Sequence, residues 1–102
     1  MRVYISGKIT GTDDYNERFQ KAENDLKRLG HTPANPVKIC SGMNNATHEE
    51  YMRRCLKVLV ECDGIYLLPG YENSQGARLE KYIADSIGMS IITIKVLPKV
   101  PR

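Results

Sequence analysis

The residues with most chemistry to offer lie between Leu67 and Ala84. A short apolar run, Gly64 to Leu68, stops at Pro69-Gly70, a polar loop follows, and Ser74 opens a helix. On that helix Glu80 lies three residues after Ala77 and four before Ala84. Those spacings place all three on one face, with Ile87 next in line. The face is the one expected to pack inward, so a carboxylate stands where a packing residue belongs. Its neighbours on the stripe are alanines, which leave room beside it. An acid in a small-walled hollow at a strand-to-helix junction has the makings of an active site. The competing reading is a solvated residue at the edge of the stripe, because charged side chains are almost never fully buried unless paired. Spacing alone leaves both open.

A second group sits near the start. Gly7-Lys8-Ile9-Thr10-Gly11 joins a strand to a helix. Glycines at both ends let the backbone turn tightly and approach a ligand closely. The following helix N-terminus offers unpaired N–H groups and a positive dipole end, and Lys8 and Thr10 add a charge and a hydroxyl. The pattern can cradle a phosphate, but it is neither GxGxxG nor GxxxxGK[ST], and a plain tight turn explains it equally well. Ser74 and Gly76, at the start of the later helix, form a second candidate anion site. Two helix N-termini meeting at one crevice favour a sugar phosphate more than either loop does alone.

These groups need a scaffold. Arg2 to Ser6 reads as a buried first strand. Tyr15, Phe19, Ala22, Leu26 and Leu29 form one apolar face of a helix from Asp13 to Leu29, capped by Thr12 or Asp13 and stopped by Gly30. His31 to Ala34 is a weak second strand ended by Asn35-Pro36, and Val37 to Ala46 has no period and reads as a loop. Thr47 and Glu50 make a capping box for a helix reaching about Glu61, with Met52, Cys55, Leu56 and Leu59 inward. Gly64 to Leu68 is the third strand, Ser74 to Ile87 the third helix, and Ser90 to Val96 the fourth strand. The domain is expected over 1–96, with a tail at 97–102. Alternating strands and helices imply a single three-layer α/β domain of Rossmann/flavodoxin-like type. Its mostly parallel four-stranded sheet takes the order 2-1-3-4, with helices on both faces. Ligands of such sheets bind beyond the carboxyl ends of the strands, beside strand 1. Gly7 to Thr12, Asn35 to Ala46 and Pro69 to Ser74 build that edge.

Composition narrows the function. The 102 residues allow one modest core, and 41% apolar with 26% charged residues fits an ordinary globular chain rather than a disordered one. No apolar run spans a bilayer and no leader is evident, so a cytoplasmic protein with no membrane partner is expected. A net charge of +3, scattered among acids, suits an anionic small molecule and does not make a nucleic-acid surface. Cys40, Cys55 and Cys62 contain no CxxC pair, and the spacing of Cys55 and Cys62 fits packing residues. His31 and His48 have no partner at metal-ligand spacing, so neither a metal nor another cofactor is expected.

YISGKITG, the NP after strand 2, HEEYMRRCL and CDGIYLLPGYENSQGARLEKYIADSIG together resemble a small bacterial and phage domain family described as nucleoside 2-deoxyribosyltransferase-like. The likeness covers nearly the whole chain, and the LLPG…S.GA..E segment is its most specific part. More distantly the chain is similar to nucleoside 2-deoxyribosyltransferases and 2′-deoxynucleoside 5′-monophosphate N-glycosidases. There a helix glutamate follows a Ser or Asp by six positions and a Gly by four, as Glu80 follows Ser74 and Gly76 here. The resemblance implies Glu80 as nucleophile, Ser74 as a holder of a 5′-phosphate, and Tyr4 with Gly7 to Gly11 as the strand-1 loop of the site. It also implies a nucleoside or nucleotide ligand and a homodimer or larger homo-oligomer in which a neighbouring subunit completes the site.

One position departs from the pattern. The larger family places an aspartate eight residues before the one that begins strand 3; here Asp63 begins the strand and the eighth residue back is Cys55. A thiol is neutral at pH 7 unless perturbed, which puts turnover in question. Tyr51, Cys55 and Tyr71 are the candidate proton donors. The expected activity is N-glycosidic cleavage or 2-deoxyribosyl transfer. A non-catalytic nucleotide-binding module of the same fold is the alternative. A phospho-acceptor domain would need an aspartate where this chain has Leu68-Pro69-Gly70.

Overall fold

A computed structural model describes residues 1–94. Four strands, β1 (Arg2–Ser6), β2 (Thr32–Ala34), β3 (Gly64–Leu67) and β4 (Ser90–Ile92), form one sheet in the order β2-β1-β3-β4, every pairing parallel. Four helices connect them: α1 (Tyr15–Arg28), α2 (Pro36–Ile39), α3 (His48–Leu59) and α4 (Gln75–Ser86). The expected sheet order and α/β class are therefore present. The expected extension of β4 to Val96 and the tail at 97–102 lie outside the described residues.

Period-two alternation divides the core. Val3 and Ile5 of β1 point to one face and pack with Phe19, Ala22 and Leu26 of α1. Tyr4 points to the other and packs with Cys55 and Leu59 of α3, Cys40 and Ala84. Burying a side chain such as Phe19 or Leu26 completely contributes about 1.5–3 kcal/mol. These contacts fix β1 between two layers, with Val3 to Ser6 buried and Arg2 at the amino end exposed.

Several boundaries differ from the sequence reading. Leu29 is 55% exposed because it caps α1 beyond the last packed turn, and Ile87 is 53% exposed because α4 ends at Ser86. Asp14 takes the N-cap position of α1 instead of Thr12 or Asp13. The Thr12 hydroxyl is engaged elsewhere, donating to the carbonyl of Ile9 at 2.9 Å. The segment after β2 contains a short helix, α2, where a loop is expected. Asn35 caps it by accepting from the Val37 N–H at 3.0 Å, and Pro36 occupies its first turn. Asp63 sits at the amino end of β3, accepting from the Arg2 N–H at 3.0 Å, a structural position.

Glu23 is a buried acid on the packed face of α1, four residues after Phe19 and three before Leu26. Burial alone would raise its pKa. Hydrogen bonds from Lys38 at 2.7 Å, Gln20 at 3.1 Å and Lys27 at 3.3 Å outweigh that and hold the carboxyl at about 2. The group therefore stabilises the fold above the ordinary value of 4.5, and this contribution is lost as pH falls toward 2. Glu23→Gln is expected to cost about 1–2 kcal/mol at pH 7, the lysine partners being exposed. Urea titrations should show the deficit shrinking below about pH 4.5; a deficit of constant size down to pH 2 would contradict the ion-pair origin.

Candidate active site

The three loops at the carboxyl edge of the sheet surround a cavity of about 930 Å³. Gly7 to Thr10 line one side, the stretch from Pro36 through Thr47 a second, and Asn73 to Ala77 a third. α3 supplies His48, Tyr51, Met52 and Cys55, and Glu80 and Tyr4 lie deeper.

β1 dictates the floor. Tyr4 and Ser6 are two residues apart, so both point toward α4. The sheet register sets Ser6 opposite Leu67, at the carboxyl end where the sheet opens. The Tyr4 hydroxyl donates to one oxygen of Glu80 at 2.5 Å and the Ser6 hydroxyl to the other at 2.7 Å. Glu80 is only 6% exposed, so of its two readings the buried one holds. Its partners are neutral hydroxyls, and the alanines on its stripe, Ala77 and Ala84, are buried beside it.

The electrostatics follow from burial. Loss of water raises the pKa of Glu80, opposed by the hydrogen bonds from Tyr4 and Ser6. Burial, then the Glu80 charge, pushes Tyr4 well up, so it stays protonated and remains a donor. The Cys55 thiol is pushed up to about 12, chiefly by burial, with contact from Tyr4 opposing and Cys40 adding to it. Burial likewise raises Tyr51, with Cys40 and Cys55 contributing.

The glycine loop has two structural requirements. A Cβ on Gly7 would meet Leu68 side-chain atoms at 2.8 and 2.9 Å, so only glycine lets β1 turn against β3 here. Gly11 has φ +80°, a conformation that suits glycine, but it lies outside the cavity lining. Arg18 braces the loop by donating to the Lys8 carbonyl at 2.8 Å and to the Thr12 hydroxyl at 3.2 Å. Ser74 caps α4, its oxygen accepting from the Ala77 N–H at 3.2 Å, which leaves its own O–H to donate.

Tyr4, Gly7, Lys8, Ile9, Thr10, Ser74, Gly76 and Glu80 thus share one cavity, and Gly11 stands behind it. Of the candidate proton donors, Tyr51 and Cys55 line the space and Tyr71 does not. Sequence reasoning missed Ser6. The available signal was a polar residue two positions from Tyr4 on a strand buried on both faces. Among the described residues no cluster of His, Cys, Asp and Glu could hold a metal, and no helix is long and apolar enough to cross a membrane.

A carboxyl group whose pKa is raised on folding stabilises the fold fully below the unfolded value of 4.5. That contribution is lost as pH rises through the raised value. Glu80→Gln removes the charge and keeps an acceptor and the shape. The variant should melt a few degrees above the parent at pH 7, with the difference shrinking below about pH 4.5. A variant that melts lower at pH 7 would show that the two hydroxyls outweigh desolvation.

Comparison with curated proteins gives no match. Among solved structures, a 2-deoxyribosyltransferase from the psychrotolerant bacterium Bacillus psychrosaccharolyticus matches with a TM-score of 0.71 at 18% identity. The match covers 89% of this chain and 69% of that one, and at this identity it is a likeness of fold. The nucleoside 2-deoxyribosyltransferase-like fold implied by the sequence is thus present. A family model described as a domain of unknown function, DUF4406, matches residues 1–93, and the chain belongs to that family.

Proposed function

We propose that the chain cleaves the N-glycosidic bond of a nucleoside or nucleoside 5′-monophosphate, or transfers its 2-deoxyribosyl group, with Glu80 as nucleophile. The observation that carries this reading is the buried Glu80 carboxylate, both oxygens held by Tyr4 and Ser6, at the floor of a cavity rimmed by Gly7 to Thr10. The structural neighbour, itself a 2-deoxyribosyltransferase, supports the reaction class at the level of fold.

The chemistry passes through an oxocarbenium-like state. Glu80 attacks C1′ as the bond to the base nitrogen breaks, and the base keeps the bonding electrons and takes up a proton. Tyr51 and Cys55, both kept protonated by burial, are the nearby proton sources. Water, or a second base, then takes the sugar from the carboxylate. The two donors do not neutralise Glu80, so it keeps the negative charge that a developing cation requires. A 5′-phosphate would be held by the N–H groups of Gly7 to Thr10 and of Gly76 at the start of α4, with Lys8 and the Ser74 hydroxyl adding donors. That anchor would hold C1′ over the carboxylate, a contribution of proximity. The reaction needs no metal or organic cofactor. A homodimer or larger assembly belongs to the same reading, and Leu79 and Tyr82 of α4, three residues apart, offer it exposed apolar surface at 43% and 71% exposure.

A second reading, a nucleotide-binding module without turnover, is favoured by Cys55. Its thiol replaces the aspartate that the resemblance leads one to expect, and at a pKa of about 12 it carries no charge at pH 7.

Incubation with nucleosides and their 5′-monophosphates should release free base measurable by chromatography. Glu80→Gln should reduce that release at least about 10³-fold without unfolding the chain. Undiminished release from the folded variant would remove Glu80 from the mechanism. Thermal stabilisation by a deoxynucleotide without any released base would select the binding module.

A further inference from the structure

Two of the three cysteines meet in the cavity wall. Cys40 follows α2 and Cys55 lies on α3, and their sulfurs are 3.4 Å apart. Neither is in a disulfide, and both line the cavity. Cys62 is engaged elsewhere, donating to the Val58 carbonyl of its own helix end at 3.4 Å. Side chains of two different elements are in direct sulfur–sulfur contact beside a space open to small solutes.

We propose that Cys40 and Cys55 form a reversible thiol–disulfide site in the cavity wall, with a hydroperoxide as oxidant. Cys40 reacts first, since it is 7% exposed and Cys55 only 1%. Its sulfur takes the distal oxygen of hydrogen peroxide, the O–O bond breaks, and water leaves, giving a sulfenic acid. The Cys55 sulfur then attacks the Cys40 sulfur and expels hydroxide, which carries off the Cys55 proton as a second water. The two thiols lose two electrons and two protons in total, and the peroxide gains them. The sulfurs need close by only roughly 1.4 Å, from 3.4 Å to a disulfide bond length. The bond ties the segment between them, including Ser41, Gly42 and Thr47 of the cavity lining, directly to α3. A dithiol reductant reverses the step.

The test uses the full chain treated with a small excess of hydrogen peroxide, alkylation of the remaining thiols, and peptide mapping without reductant. The expected product is one species lighter by the two thiol hydrogens. Its Cys40 and Cys55 peptides are joined, Cys62 is alkylated, and dithiothreitol restores the starting mass. Amide exchange across residues 41–47 should slow about tenfold in the oxidised form. A Cys40→Ser variant that folds, as judged by circular dichroism, should leave Cys55 free to alkylate. Free Cys40 and Cys55 after peroxide, over-oxidised Cys40 with no link, or a link through Cys62 would overturn the proposal, and unchanged exchange would overturn the tethering. Glu80→Gln should form the same link, so failure of the link and failure of Glu80 as nucleophile are read separately.

Discussion

A buried carboxylate shared between a helix and the central strand sets the terms for the carboxyl edge of this fold. Glu80 of α4 gives up water to sit among alanines, and Tyr4 and Ser6 of β1 replace that water with two oriented hydroxyls. An unpaired buried charge costs far more than a hydrogen bond returns, so α4 can dock only where both donors are present. The alternation of β1 provides that place, with its apolar residues on one face and its hydroxyls on the other. The same interaction fixes the depth at which α4 meets the sheet, and so the volume left above it.

Glu23 and Glu80 show how surroundings assign different properties to the same side chain. Both are buried, at 4% and 6% exposure. Glu23 meets two lysine ammonium groups whose hydrogen bonds overcome desolvation and hold it at about 2. It ties α1 to α2 and keeps little free valence for anything else. Among the described residues Glu80 meets no cation, and burial leaves its pKa raised. A carboxylate already matched by cations would gain little from a positive charge forming nearby, whereas one held only by neutral donors would gain much. The contrast makes Glu23 structural and leaves Glu80 as the group with interaction energy in reserve.

Much of this was legible because it rests on short-range rules. The capping box at Thr47 and Glu50 and the Ser74 cap are local hydrogen-bond patterns, and both helices start where those residues stand. The sheet order follows from strand–helix alternation. What could not be read depends on partners distant in sequence. Ser6 and Glu80 are 74 residues apart, so the sequence shows a polar residue on a buried strand but not the partner it meets. Glu23 lies on the packed stripe of α1, four residues after Phe19 and three before Leu26, but its partner Lys38 sits 15 residues on, in α2, a helix whose four residues are too few to show a period. Its Asn-Pro start was nonetheless a readable cap. Leu29 and Ile87 were misplaced for the opposite reason: periodicity continues past a helix end, but packing does not.

The departure at Cys55 joins these threads. The thiol lies close to Tyr4, and its pKa is raised chiefly by burial, with Tyr4, Cys40 and Glu80 contributing. An aspartate at this position would set a second carboxylate near Glu80. Two like charges in one desolvated hollow cannot both ionise cheaply, so one of them would hold a proton and could serve as an acid. Cysteine removes that competition. Glu80 then faces a neutral wall. Under the proposed glycosidic reading, the proton for a departing base comes from a phenol or a thiol, so the site suits a leaving group that needs little protonation, or a ligand that is held and not cleaved.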